Sequence, residues 1–306
     1  MSTEAPLREL QYAVVDVFAE RALEGNALAI FTDATGLSTE DMQRIARETN
    51  LSETTFILPQ SPEIEQARGV RVRIFTTEEE LPFAGHPTLG TAAWLHANNP
   101  HRRGSEIIHL DLKAGRIPVT FRAPQAGERG LFGTMRQNDP AFGKTHNPAE
   151  VAAALNLSVD DLDLTAPIQT VSTGMPFCVV HLRSLEVASR LRIPQHLARP
   201  YLERSGDKFF FCITRASANV SADWHARMQF GNGEDPATGS ASGCAIAWLV
   251  RHGLAPSGQP VLLEQGIEIL RPSQIHLQAT LSGSAVTDVF VGGRTIPVAS
   301  GQLFLP

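Results

Sequence analysis

Hydrophobic and polar positions change period several times along the chain, and each change predicts an element. Near the N-terminus "LQYAVVDVFA" is rich in Val and aromatic residues and reads as a strand. In "LSTEDMQRIARETN" the period becomes helical: Met42, Ile45, Ala46 and Thr49 share one face, and Ser38 with Asp41 resembles a capping box. "ETTFILP" returns to strand, and "GVRVRIFT" alternates Val70, Val72 and Ile74 against Arg71 and Arg73, a strand with one wet face. An apolar helix is predicted after His86 in "ELPFAGHPTLGTAAWL", then a strand at "GRIPVTFR".

From about residue 130 the pattern starts again. A helix near "NPAEVAAALNL" precedes strands at "FCVVHL" and "KFFFCIT". A second apolar helix lies in "EDPATGSASGCAIAWLVRHG", followed by strands at "QIHLQATL" and "VTDVFV". "VGGRTIPVA" reads as a hairpin with its turn at Gly292-Gly293. Many strands, few helices and little strict strand–helix alternation predict an α+β class. The restart predicts two similar lobes: residues 1–128, completed by the C-terminal strands 286–306, and residues 129–285.

The two apolar helices match. "HPTLGTAAWL" and "DPATGSASGCAIAWL" each place Pro after a polar residue and Gly three residues after that Pro, and both end in Ala-Trp-Leu. Pro suits the first helical position, where its missing N–H is no loss. All-round apolarity predicts helices buried within a sheet wrap. Helix N-termini carry unpaired N–H groups and about half a positive charge, which suits a carboxylate. If the halves pack face to face, both starts point into one cleft, with His86 and Asp235 at its mouth. The plainer alternative is that both residues are caps, for Asp235 at about even odds.

Composition narrows the classes. The chain has 306 residues, 42 % hydrophobic and 19 % charged, with a net charge of −6, which argues against a nucleic-acid partner. Cys178, Cys212 and Cys244 are far apart, which predicts free thiols and offers no metal-ligand spacing. "MSTEAPLREL" lacks an apolar signal core and no apolar run approaches 18 residues, so a cytoplasmic protein without a membrane partner is expected. "GSASG" has Ala241 where a hydrolase elbow needs serine, and "GNGEDPATG" lacks the lysine of a phosphate loop.

"GNALAIF", "TNLSETTFIL", "RIFTTEEELPFAGHPTLGTA", "EDPATGSA" and "VGGRTIPVASGQL" together resemble the phenazine-biosynthesis PhzF-like family, from about residue 12 to the C-terminus. The resemblance implies a diaminopimelate-epimerase-like fold, two lobes of antiparallel strands each around a central helix, with the active site between them. It also implies isomerisation without a cofactor or metal, a small carboxylate substrate such as a dihydro-hydroxyanthranilate, and a homodimer. Glu53 matches the family's acid/base glutamate, and His86 and Asp235 match its polar partners. Ser240 matches a further hydroxyl contact and Asn26 the family's GNP position, with Ala27 replacing the usual proline, while Gly85 and Gly239 would offer backbone N–H groups to a carboxylate. Without the resemblance, Glu53 would read as a surface glutamate opening a strand.

Racemases of the same fold use one cysteine from each lobe. Here Ala84 and Ala237 occupy those positions, which disfavours a racemase or epimerase of an amino or hydroxy acid. Cys244, two turns inside its helix, reads as packing. A non-catalytic binding protein is a further alternative, but it would have no need of a proton carrier. The approach to EDPATG, "RMQFGNG", lacks the family's common Ala-Pro and is shortened, which bears on substrate identity more than on reaction type.

Overall fold

The computed structural model describes residues 7–123, 127–215, 218, 221–231 and 233–305. The chain divides into two units, Met1–Met135 with Arg294–Pro306, and Arg136–Gly293. These divisions lie at 135/136 and 293/294, whereas the sequence pattern suggested 128/129 and 285/286. The pairing of Val119 with Met135 carries the eighth strand along with the seventh.

The first unit contains β1 (Arg8–Val17), β2 (Asn26–Phe31), α1 (Thr39–Thr49), β3 (Glu53–Leu58), α2 (Pro62–Arg68) and β4 (Val70–Phe75). The short β5 (Glu80–Leu81), α3 (Gly85–Asn98), β6 (Ile107–Leu112), β7 (Gly115–Phe121) and β8 (Leu131–Arg136) follow. The second contains β9 (Ala141–Thr145), α4 (Pro148–Leu155), β10 (Gln169–Ser172), β11 (Pro176–His181), α5 (Leu185–Arg190), α6 (Gln195–Ser205) and β12 (Phe209–Thr214). It continues through β13 (Trp224–Arg227), β14 (Gln229–Phe230), β15 (Gly233–Glu234), α7 (Gly239–Arg251), β16 (Val261–Gln265) and β17 (Ser273–Ser282). Strand β18 (Ala285–Leu305) serves both units.

The strands are not all antiparallel, which corrects the expectation. In the first unit β2–β3 and β4–β6 are parallel, and β1–β2, β3–β4, β6–β7 and β7–β8 are antiparallel. In the second, β11–β12 and β13–β16 are parallel and the other pairs of the main sheet antiparallel. Parallel neighbours need a crossover long enough to return the chain, and helices provide it. Helix α1 bridges β2 and β3, and α5 with α6 bridges β11 and β12. The two apolar helices occupy equivalent crossovers, α3 from β4 to β6 and α7 from β13 to β16. Counted from β1 and from β10, the order of pairings is identical, so the restart in sequence is a repeat of topology.

Both apolar helices are buried nearly all round. Small residues permit this: a Cβ on Gly90 would lie 2.7 Å from side-chain atoms of Leu28 and Val17, and one on Gly243 would lie 1.9 Å from Gln137 Oε1. On the other sheet face of the first unit, α1 covers Phe31, Phe56 and Phe75 with Met42, Ile45 and Ala46. Ser38 caps this helix, its hydroxyl accepting from Asp41 N–H and donating to the Asp41 carboxylate. The corresponding layer of the second unit is built from α4 and α6 over Cys178, Val180, Phe210 and Cys212.

Two further expectations are corrected. Gly292-Gly293 is not a turn: β18 runs straight through it, with Gly292 opposite His276, and neither glycine takes the positive φ of a two-residue hairpin. Nor do the two prolines start their helices. Helix α3 begins at Gly85, two residues before Pro87, with Ala84 O accepting from both Thr88 N–H and Thr88 Oγ1. Any position in a first turn tolerates a missing N–H. Helix α7 begins at Gly239, three residues after Pro236, because the DPAT segment is held in a turn of its own. Among the described residues no helix is long and apolar enough to cross a membrane.

Candidate active site

Parallel pairing of β2 and β3 sets Glu53, the first residue of β3, opposite Leu28. The crossover into α3 delivers His86 as the second residue of that helix. Its Nε2 lies 3.5 Å from Glu53 Oε2, with side chains 6 % and 17 % exposed respectively. Burial pushes the His86 pKa down to about 3, opposed only in part by a hydrogen bond to the Ala27 backbone. The imidazole is therefore neutral at ordinary pH. With the ring proton engaged in that backbone bond, Nε2 would be the acceptor nitrogen. Nε2 is buried and without a hydrogen-bond partner among the described residues. A carboxyl proton on Glu53 would find that lone pair, whereas an ionised Glu53 would oppose it. The pair is thus suited to holding one proton.

The neighbouring candidates stand around the same strand and helix ends. Asn26 opens β2 beside Ala27 and is buried. Gly25 precedes it at φ +67, where a Cβ would meet Val17 O at 2.3 Å, so only glycine lets the loop enter β2 this closely. Gly85 is the buried first residue of α3, and Ala84 just before it carries no ionisable group.

In the second unit, Asp235 lies outside the helix. Its Oδ2 accepts from Thr238 Oγ1 at 2.7 Å, and its N–H donates to Met228 O. The turn is clamped by Gln265, the buried last residue of β16. The Gln265 amide donates to Asp235 O at 2.8 Å and Thr238 Oγ1 at 2.9 Å, and accepts from Thr238 N–H at 3.0 Å. Ser273 Oγ adds a bond to Pro236 O. Gly239 opens α7 and its carbonyl accepts from Gln137 Nε2, while half-buried Ser240 is next in the helix. Cys244 is buried with its thiol 3.6 Å from Thr173 Oγ1, and burial pushes its pKa up to about 11, as fits packing rather than catalysis.

Sequence reasoning missed the frame behind this turn. The shortened approach to Asp235 folds as the β14–β15 pair, tied down by a two-pronged bond from buried Arg227 to Glu234. Glu268 lies beside Arg227 and accepts from His225, whose other ring nitrogen meets Glu264 at 2.9 Å. Burial alone would lower the His225 pKa, but bonds to both glutamates outweigh it and hold it at about 9. Nothing in the local pattern marks Gln265 or Arg227, because their partners come from distant segments.

Similarity over nearly its full length to curated isomerases makes the chain an isomerase. Over 299 residues the chain is 38 % identical to the trans-2,3-dihydro-3-hydroxyanthranilate isomerase of Pseudomonas aeruginosa, covering 96 % of this chain and 99 % of that one. It belongs to the PhzC-PhzF family of phenazine biosynthesis-like proteins, whose pattern matches residues 15–301. Among solved structures it is similar to a PhzF-family phenazine biosynthesis protein of Bacillus anthracis, with TM-score 0.84 and 26 % identity over 97 % of this chain and 99 % of that one. A predicted epimerase from Pseudomonas aeruginosa has TM-score 0.80 and 36 % identity, over 96 % and 99 %.

Proposed function

We propose that the chain moves a proton on a small carboxylate-bearing substrate resembling trans-2,3-dihydro-3-hydroxyanthranilate, without a cofactor, and that Glu53 carries that proton. The supporting observation is the 3.5 Å approach of Glu53 to a buried His86 whose pKa burial lowers to about 3. Glu53 takes a proton from one carbon and returns it to another, and His86 Nε2 receives the carboxyl hydrogen bond between the two steps. The N–H groups of Gly85 and Gly239, with Asn26 and Ser240, hold the substrate's polar groups, and Asp235 orients it. In this reading the two units are the lobes of a diaminopimelate-epimerase-like fold, and the protein is a cytoplasmic homodimer, which light scattering checks.

The experiment is Glu53→Gln with a proven substrate. Substrate binding is retained, and turnover falls at least about a hundredfold, the low end of what acid–base catalysis contributes. Wild-type enzyme in deuterated water labels the reprotonated carbon and the variant does not. Near-normal turnover of the variant removes Glu53 from the mechanism. Turnover also survives exhaustive chelation and needs no added cofactor; activity lost on chelation and restored by a divalent metal overturns that part. The epimerase reading is favoured only by the similar protein described as a predicted epimerase, and Ala84 and Ala237 deny it the two-thiol mechanism.

A further inference from the structure

The outer layer of the second unit holds side chains that the proposed reaction does not use. His146 follows β9, Cys178 lies on β11 and Asp207 stands between α6 and β12. One ligand atom from each lies within 4.8 Å of the others. The His146 and Asp207 side chains are 2 % and 0 % exposed, and Cys178 is fully buried. Asp207 is only half satisfied there. Ser205 Oγ donates to its Oδ2 at 2.6 Å, but Oδ1 is buried with no hydrogen-bond partner among the described residues. A buried carboxylate oxygen without a donor is rare and asks for a reason. The scaffold does not demand polarity here, since the corresponding layer of the first unit is the aromatic stack Phe31–Phe56–Phe75 under α1.

We propose that His146, Cys178 and Asp207 form a zinc site. Imidazole, thiolate and carboxylate are the donors Zn²⁺ prefers, whereas Mg²⁺ and Ca²⁺ take oxygen. His146 Nε2 and Asp207 Oδ2 are 3.6 Å apart, near the roughly 3.4 Å edge of a tetrahedron with bonds of about 2.0–2.1 Å. The supporting groups are in position. Tyr201 OH lies 2.7 Å from His146 Nδ1, so the ring proton can reside there and leave the Nε2 lone pair for metal, while Ser205 orients Asp207. That lone pair now meets Thr170 Oγ1 at 2.9 Å, and the hydroxyl turns away when metal binds. A cavity of about 160 Å³ lined by His146, Tyr201 and Ser205, with Lys144, Glu150 and Arg204 at its border, reaches the histidine of the set from outside.

A metal is bound by the thiolate, so zinc binding breaks the S–H bond, forms the S–Zn bond and releases one proton to solvent, with no change of oxidation state. Zn²⁺ with one thiolate and one carboxylate is neutral overall, as an interior tolerates.

The full-length protein, stripped with EDTA and dialysed, is titrated with Zn²⁺ against a chromophoric chelator. One equivalent is expected, with the melting temperature rising by roughly 5 °C at zinc a hundredfold above Kd. EDTA reverses the rise while leaving isomerase turnover unchanged, which separates this site from the reaction. Co²⁺ in place of zinc gives a thiolate-to-cobalt absorption band that Cys178→Ser abolishes, and Asp207→Asn weakens zinc at least about tenfold. No stoichiometric binding by the wild type, or undiminished binding by both variants, overturns the proposal. If the variants misfold, anomalous scattering at the zinc edge from wild-type crystals decides: a peak among the three side chains supports the site, and its absence there removes it.

Discussion

Helices α3 and α7 match in sequence and occupy equivalent crossovers, yet they begin differently. In α3 the polar residue of the motif, His86, is inside the helix, buried and neutral, steadied by a strand backbone at Ala27. In α7 the polar residue, Asp235, stays outside the helix, in a turn steadied by the Gln265 side chain. The difference teaches that a shared motif does not dictate a shared helix start. What decides is which partner the neighbouring strand offers, the backbone in one case and a side-chain amide in the other. The layers outside the two sheets differ in the same way, apolar in the first unit and partly polar in the second.

The largest expected effect tests whether the two starts play unlike chemical roles. Glu53→Gln loses at least about a hundredfold in kcat with KM little changed, whereas Asp235→Asn raises KM and lowers kcat more modestly. Equal splits between kcat and KM for both variants in steady-state kinetics would erase the distinction. A double-mutant cycle on kcat/KM then asks whether the two residues serve one substrate. Strict additivity would argue that they do not.

Next come the glycines that let each helix sink into its sheet. Gly243→Ala drives a methyl into Gln137 Oε1, which Thr173 Oγ1 reaches at 2.6 Å and whose amide holds the Gly239 carbonyl. The expected loss is roughly 3 kcal/mol, after a helix-propensity gain of up to about 1 kcal/mol. Gly90→Ala meets side-chain methyl groups of Leu28, Val17 and Val15 rather than a hydrogen-bonded amide and should lose less, roughly 1–2 kcal/mol. Urea unfolding ranks the pair, and the reverse order would mean that Gln137 moves aside freely.

Removing the clamp should then make the second start resemble the first. Gln265→Leu strands the Thr238 N–H and the Asp235 carbonyl, for roughly 2 kcal/mol, and raises KM more than it lowers kcat. A melting curve and a KM both unchanged would show that the turn holds itself.

The smallest effect per step is pH dependence, and the two units should differ in sign. His86 is depressed from 6.5 to about 3, so its contribution is whole above pH 6.5 and is lost as pH falls toward 3. His225 is raised from 6.5 to about 9, so its contribution is whole below pH 6.5 and is lost as pH rises toward 9. Each slope is at most about 1.4 kcal/mol per pH unit. Urea midpoints at pH 4.5, 6.5 and 8.5 should peak at the middle value, and His225→Gln should flatten only the alkaline side. A profile without a maximum counts against both assignments.

Much of this protein was legible from residues that are neighbours in the chain. Periodicity marked the strands, the capped helix α1 and the two apolar helices, since burial on one face or all round leaves a local trace in which positions are apolar. The family motifs marked Glu53, His86 and Asp235, because each sits in a run of neighbours with a recognisable order. Tertiary structure decided what depends on partners far along the chain. The parallel pairings, the unbroken run of β18 through Gly292-Gly293 and the two helix starts follow from how strands align, which no local period records. The neutral state of His86 follows from burial beside Ala27, 59 residues earlier in the numbering. The hold of Gln265 on Asp235 spans 30 residues, and the meeting of His146, Cys178 and Asp207 joins three segments that share no motif. Desolvation and hydrogen-bond geometry are properties of the folded neighbourhood, so the sequence alone named the chemical groups while only the fold set their charge, their orientation and their company.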